Sequence, residues 1–205
     1  QSAGEIARHG ASLRGVSFEP VPAACSQLER NLRRAIGPDF GKRMAVHCAG
    51  VGDSVGSIRL PGAALTGDAT NRDDDLSRRS TSFSLAHETP LEPTAAGDVA
   101  VPVLTLDGLE SKGELEGEVL MLKSDTQGFE MHVLRGASRL LSQRRVHLLM
   151  VEMSSYLLKR AGDSALGLMR LLDEMGYACT HLSFWSKRKT SPFWSKRKNP
   201  PTFKP

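Results

Sequence analysis

The 205 residues leave room for one domain and a short tail, and 40% hydrophobic with 24% charged residues excludes a globally disordered chain. The formal charge of +4 suggests a basic, nucleic-acid-seeking protein. Residues 185–205, however, carry seven basic side chains and no acid, which leaves 20 basic against 23 acidic groups in residues 1–184, a mildly acidic body with a basic tail.

Gly15–Glu19 is a short apolar run ended by Pro20 and predicts a buried strand. Pro22 suits the first turn of a helix, and Leu28, Leu32 and Ile36 form one apolar stripe with Arg30, Arg33 and Arg34 off it. Gly37 and Pro38 end that helix. Met44–Ala49 predicts a second strand, Gly50 to Gly56 a turn, and Ser57–Leu60 a further strand. Residues 61–98 lose all periodicity and hold the acidic run Asp73–Asp75; a loop this long is either a lid or disordered. Val99–Leu104 is extended, with Pro102 placing it at a sheet edge. Glu118–Lys123 is nearly all apolar, as a strand covered on both faces should be.

Met131–Arg144 predicts one helix, with Val133, Leu134, Ala137, Leu140 and Leu141 on one face. Val146–Glu152 predicts another buried strand, Ser164–Met175 a helix closed by Gly176, and Tyr177–Phe184 the last strand. Strands alternating with helices predict an α/β fold with a mostly parallel sheet. Ligands of such sheets bind beyond the carboxyl ends of the strands. Here those ends are Glu19, Ala49–Asp53, Lys123–Gly128 and Glu152–Ser155.

Glu19 can accept hydrogen bonds from the vicinal hydroxyls of a ribose, or cap the helix that follows. Asp125 can orient a substrate or act as a general base, or form a surface pair with Lys123. Glu152 can face the same crevice as Asp125, while Ser154 or Ser155 caps the next helix. Three consecutive acids cannot all reach one ion, so Asp73–Asp75 reads as a solvated run, and no metal site is expected. The six histidines are scattered, and His47 and His147 read as packed within strands. Cys25, Cys48 and Cys179 are far apart and odd in number, which predicts buried thiols in a reducing, cytoplasmic setting. No apolar run is long enough to span a membrane, and the start at Gln1 carries no signal-peptide pattern.

Six pieces in order carry a resemblance. They are Val16-Ser-Phe-Glu-Pro-Val-Pro22, Ala49-Gly-Val-Gly-Asp-Ser-Val-Gly56, Val101-Pro-Val-Leu-Thr-Leu-Asp107, Leu122-Lys-Ser-Asp-Thr-Gln-Gly-Phe-Glu130, Val133-Leu-Arg-Gly-Ala137 and Val151-Glu-Met-Ser154. Together they resemble the FkbM-type S-adenosylmethionine-dependent methyltransferases over about residues 10–184. The resemblance implies a Rossmann-like class I methyltransferase sheet and O-methylation of a hydroxyl on a small molecule or sugar. It implies that Glu19 holds the ribose of S-adenosylmethionine. Gly50, Val51 and Asp53 would line the adenine. Asp125 would sit near the methylsulfonium, and either Asp125 or Glu152 would take the substrate proton.

Two departures stand out. Ser124 and Gln127 replace an apolar and an acidic residue of the family pattern, while Lys123, Asp125, Gly128 and Glu130 are kept. The family's first strand and Gly-rich loop are not found in the 14 residues before Gly15. Residues 1–184 are therefore expected to be an N-terminally incomplete methyltransferase domain that binds S-adenosylmethionine weakly or not at all.

Residues 185–205 form the expected tail. The hexapeptide FWSKRK occurs at Phe184–Lys189 and again at Phe193–Lys198. It reads as a solvated low-complexity extension, with contact to nucleic acid or an anionic membrane as the lesser reading. The alternative to an enzyme is a degenerate, non-catalytic methyltransferase-like binding module carrying that tail.

Overall fold

A computed structural model describes residues 13–60, 98–181 and 192–197. The expected loop at 61–98 lies almost wholly outside them, with Asp73–Asp75. The described residues fall into two compact units. One runs from the first strand through Gly50 and takes in Gly56–Leu60 and the chain up to Val103; the other joins the Val51–Val55 turn to the chain from Leu104 onward.

In the first unit, β1 (Gly15–Phe18) and β2 (Met44–His47) pair in parallel, with Gly15 opposite Met44 and Phe18 opposite His47. Between them lies α1 (Pro22–Ile36), with proline in its first turn and Gly37 at its C-cap at φ 71°. A single 3-10 turn and the short α2 (Phe40–Arg43) lead into β2. The Arg33 guanidinium sits 4.4 Å over the Phe40 ring and covers that joint. Fully buried Cys25 on α1 is disulfide-bonded to Cys48, just past β2, across a Cα–Cα distance of 5.4 Å. The expectation of three reduced thiols is thus corrected: a helix packed on a parallel strand pair brings together two cysteines 23 positions apart. Cys179 lies outside any disulfide.

A three-stranded sheet has the order β3 (Gly50–Val51), β5 (Val99–Leu104), β4 (Gly56–Leu60). Strands β4 and β5 are antiparallel, and Ile58, Leu60, Val101 and Val103 bury one face together with Val21 and Val99. Each such side chain contributes about 1.5–3 kcal/mol on burial. Pro102 stands in the middle strand rather than at an edge. Its neighbour β3 is only two residues long, so one flank of β5 needs few ladder hydrogen bonds, which is where proline is tolerated.

In the second unit, α3 (Leu106–Ser111) is capped by Thr105, whose hydroxyl accepts from Gly108 N at 3.0 Å. Then follow β6 (Val119–Ser124), α4 (Glu130–Arg135), α5 (Ser138–Ser142) and β7 (Val146–Glu152). After them come α6 (Ser155–Arg160), α7 (Ala165–Glu174), β8 (Tyr177–His181) and β9 (Pro192–Arg197). The expected helix over Met131–Arg144 is two helices. The Asp107 carboxylate accepts from Arg139 N at 2.8 Å and Leu140 N at 3.1 Å, and so caps a fresh start at α5.

The sheet of this unit runs β6, β7, β9, β8. Strands β6 and β7 are parallel, and β9 lies antiparallel between β7 and β8. Two expectations change here. Strand β6 pairs on one side only among the described residues, with Leu120 60% and Met121 50% exposed, so it is not covered on both faces. The second hexapeptide copy, read as solvated tail, supplies β9, and the boundary at residue 184 leaves out a strand of the sheet.

Candidate functional site

The parallel register of β6 and β7 pairs Ser124 with Val151, so the next residues, Asp125 and Glu152, leave adjacent strands at the same edge. Their carboxyl groups lie close enough for each to act on the other's proton affinity. Lys123 Nζ lies 2.8 Å from Asp125 Oδ2, and Gln127 Nε2 donates to Oδ1 at 3.0 Å. Of the two sequence readings of Asp125, the surface pair with Lys123 is present. Ser154 caps α6 by accepting from Leu157 N, which leaves Glu152 out of the capping.

The two acids are driven apart. The hydrogen bond with Asp125 pushes the Glu152 pKa up to about 7, aided by burial and by repulsion from the Asp125 charge. Burial alone would raise Asp125 too. The hydrogen bond from Glu152 and the bond and charge of Lys123 outweigh it and hold that carboxyl below its ordinary range. Below about pH 7 the pair thus holds one proton, with Asp125 the more acidic of the two.

Glu130 keeps the loop after β6 in shape. Its carboxylate, 1% exposed, accepts from Thr126 N at 2.9 Å and from Gly128 N at 3.0 and 3.2 Å. Gly128 has φ 108°, and a Cβ there would meet the Leu157 carbonyl. No role was read for Glu130 from sequence beyond its place in the motif. The available signal is an acid in the first turn of a helix that follows a Gly loop, where free backbone N–H groups need an acceptor. The hydroxyls of Ser124, at the end of β6, and of Thr126, in this loop, are buried without hydrogen-bond partners among the described residues. A cavity of about 30 Å³ beside it is lined by Gln127, Gly128, Glu130, Glu152, Ser154 and Leu157. A larger cavity of about 310 Å³, between α7 and β8, contains none of the sequence-predicted site residues.

In the first unit, Glu19 directly follows β1, and its backbone N donates to the His47 carbonyl at 3.1 Å. Its Oε1 accepts from Val21 N at 2.9 Å, which turns the chain into α1. Gly50 lies in β3, with Ile58 and Val103 side chains at ordinary contact distance from the position of a Cβ. His47 stacks on Phe18 at 5.2 Å, and His147 pairs with Glu118 at 2.9 Å.

In the second unit, Val51 leads into a turn tied down by Gly52 N, which donates to the Leu104 carbonyl at 2.9 Å. Asp53 meets His132 Nδ1 at 2.8 Å. Burial pushes the Asp53 carboxyl up, but the hydrogen bond to His132 and its charge outweigh this and hold the pKa below the ordinary value. Among the described residues, no group of three His, Cys, Asp or Glu side chains can hold a metal ion. No helix among them is long and apolar enough to cross a membrane.

Comparison with protein families matches residues 3–179 to the methyltransferase FkbM domain. No curated protein matches the chain. Among solved structures, the crystal structure of a methyltransferase FkbM from Methylobacillus flagellatus KT is similar, with a TM-score of 0.55 at 19% identity. The match covers 89% of this chain and 36% of that one, so the chain spans about a third of that protein's length. At this identity the likeness speaks for the fold: a mixed α/β, Rossmann-like architecture with parallel strands.

Proposed function

The chain belongs to the FkbM methyltransferase family, and we propose that it transfers a methyl group from S-adenosylmethionine to a hydroxyl of a small molecule or sugar. The observation that carries this reading is the Asp125–Glu152 pair at the carboxyl ends of two parallel strands, one acid ionised and one titrating at about 7. The residues fit the cofactor. Two buried hydroxyls, on Ser124 and Thr126, flank Asp125 and lack partners among the described residues. Glu19 offers a carboxylate at a strand end for the ribose diol, and Gly50, Val51 and Asp53 form the backbone expected to line the adenine.

When bound, the cofactor supplies a methyl group on a positively charged sulfur. The protein's own part is to place the acceptor hydroxyl in line with that group and to take its proton. With the cofactor held beside Asp125 to supply the methyl group and leave as the neutral thioether, the carboxyl pair would take the proton that the acceptor hydroxyl gives up. Glu152 has the better-matched proton affinity for this near neutrality, and Asp125 is nearer the ordinary ionised state. Methyl transfer is therefore expected to rise with pH through about 7 as Glu152 ionises.

The test has two parts. Ligand-observed NMR with S-adenosylhomocysteine reads weak as well as tight complexes; Glu19→Ala and Asp125→Asn are expected to abolish the signal. Labelled S-adenosylmethionine is then offered with a panel of sugars and polyols, and alkali-stable label in the acceptor marks an O-methyl product. Binding without transfer to any acceptor would favour a non-catalytic binding module. The Cys25–Cys48 disulfide fits an oxidising compartment better than the reducing, cytoplasmic setting expected from the cysteine count.

A further inference from the structure

The hydrogen bonds of Glu130 go to the loop after β6, and that loop reaches toward both acids of the pair. Burying a carboxylate is costly unless hydrogen bonds satisfy it, and here backbone amides do. Oε1 accepts from both Thr126 N and Gly128 N, and Oε2 accepts from Gly128 N as well. These two amides stand on either side of Gln127. The residue between them is held at φ 53°, in the left-handed region that side chains other than glycine rarely adopt. From that backbone the Gln127 amide turns back to Asp125 and donates to Oδ1 at 3.0 Å, while Lys123 holds Oδ2 at 2.8 Å. Asp125 is thereby clamped by both oxygens.

A second route runs through Gly128. A Cβ there would lie 2.7 Å from the Leu157 carbonyl oxygen, so the loop is pressed against α6. Ser154 caps the same turn of α6 by accepting from Leu157 N, and it stands two residues past Glu152. The charges that act on Glu152 are Asp125, Lys123 and Glu130. Glu130 therefore reaches the pair by its charge as well as by its hydrogen bonds, and the two effects are separable by substitution.

We propose that Glu130 is the positioning residue of the carboxyl pair. Through Gln127 it fixes Asp125, and through Gly128 it seats the loop against the turn that follows Glu152. This rests on, and deepens, the reading that the pair takes the proton of the acceptor hydroxyl.

The experiment follows the Glu152 carboxyl by carbon NMR; in wild type it titrates at about 7, pushed up chiefly by Asp125. Glu130→Gln keeps Oε1, the oxygen that accepts from both amides, and removes the charge. Its midpoint should stay within about half a pH unit of wild type. Glu130→Ala removes the acceptor and should lower the midpoint by about one pH unit or more, toward the ordinary carboxylate range. Thermal unfolding checks that each variant is folded. A residue that served stability alone would lower the melt and leave the midpoint in place. Gln127→Gly decides the matter if Glu130→Ala does not fold, because glycine suits φ 53° while the clamp on Asp125 is lost. Its midpoint should fall too. An unmoved midpoint in folded Glu130→Ala or in Gln127→Gly, or an equal fall in Glu130→Gln and Glu130→Ala, would overturn the inference. The titration needs no cofactor, so absence of methyl transfer by wild type would overturn the proton-acceptor reading and leave these midpoints unaffected.

Discussion

Glu152 is the side chain whose behaviour departs furthest from an ordinary surface acid. Its proton is held by Asp125 beside it, while Lys123 lowers the charge of the pair. Because its folded pKa lies at about 7, the native state binds more protons than the unfolded chain between the ordinary carboxyl range and that value. Stability from this group therefore falls as pH rises through that window and is lowest above it. Replacing Glu152 by Gln removes the loss. Chemical denaturation should show the variant gaining on the order of 1 kcal/mol over wild type at about pH 8, after solvent screening, and nothing at about pH 4. Much of this was legible in the sequence, since both acids sit at the ends of apolar runs. Their direct partnership was not, because it depends on the one-to-one register of Ser124 with Val151. His132 was passed over for a similar reason: its partners, Asp53 and Asp163, are far from it in sequence.

At the level of elements, α1 was readable almost to its last residue, because proline, a four-residue apolar repeat and a closing glycine are all local signals. The break between α4 and α5 was not. Its causes are the close approach of Gly136 to Gly52 and the capping of α5 by Asp107, both tertiary. The disulfide was hidden in the same way, since Cys25 and Cys48 meet only once α1 packs on β1 and β2. Closing a loop of 23 residues contributes about 3 kcal/mol in the chain-entropy account. Denaturation with and without dithiothreitol should differ by roughly that amount, and Cys25→Ser should reproduce the reduced protein. A reduced and an oxidised protein of equal stability would show that the bond does not form in solution.

Over the whole chain, the +4 charge now has a different meaning. Part of the basic segment is a strand between β7 and β8, so it serves the fold before it serves any partner. Ending the chain at Ser191 removes that strand and leaves the facing edges of β7 and β8 without hydrogen-bond partners. The melting temperature is expected to fall by at least about 8 °C or cooperativity to be lost, whereas a solvated tail would leave the melt unchanged. The same sheet positions the carboxyl pair, because the parallel register of β6 on β7 is what brings Asp125 beside Glu152. The most direct test is the titration of the Glu152 carboxyl followed by carbon NMR in wild type and in Asp125→Asn. The pair described here predicts a midpoint at about 7 in wild type and a return toward the ordinary carboxylate range in the variant. A wild-type midpoint already in that ordinary range would contradict it.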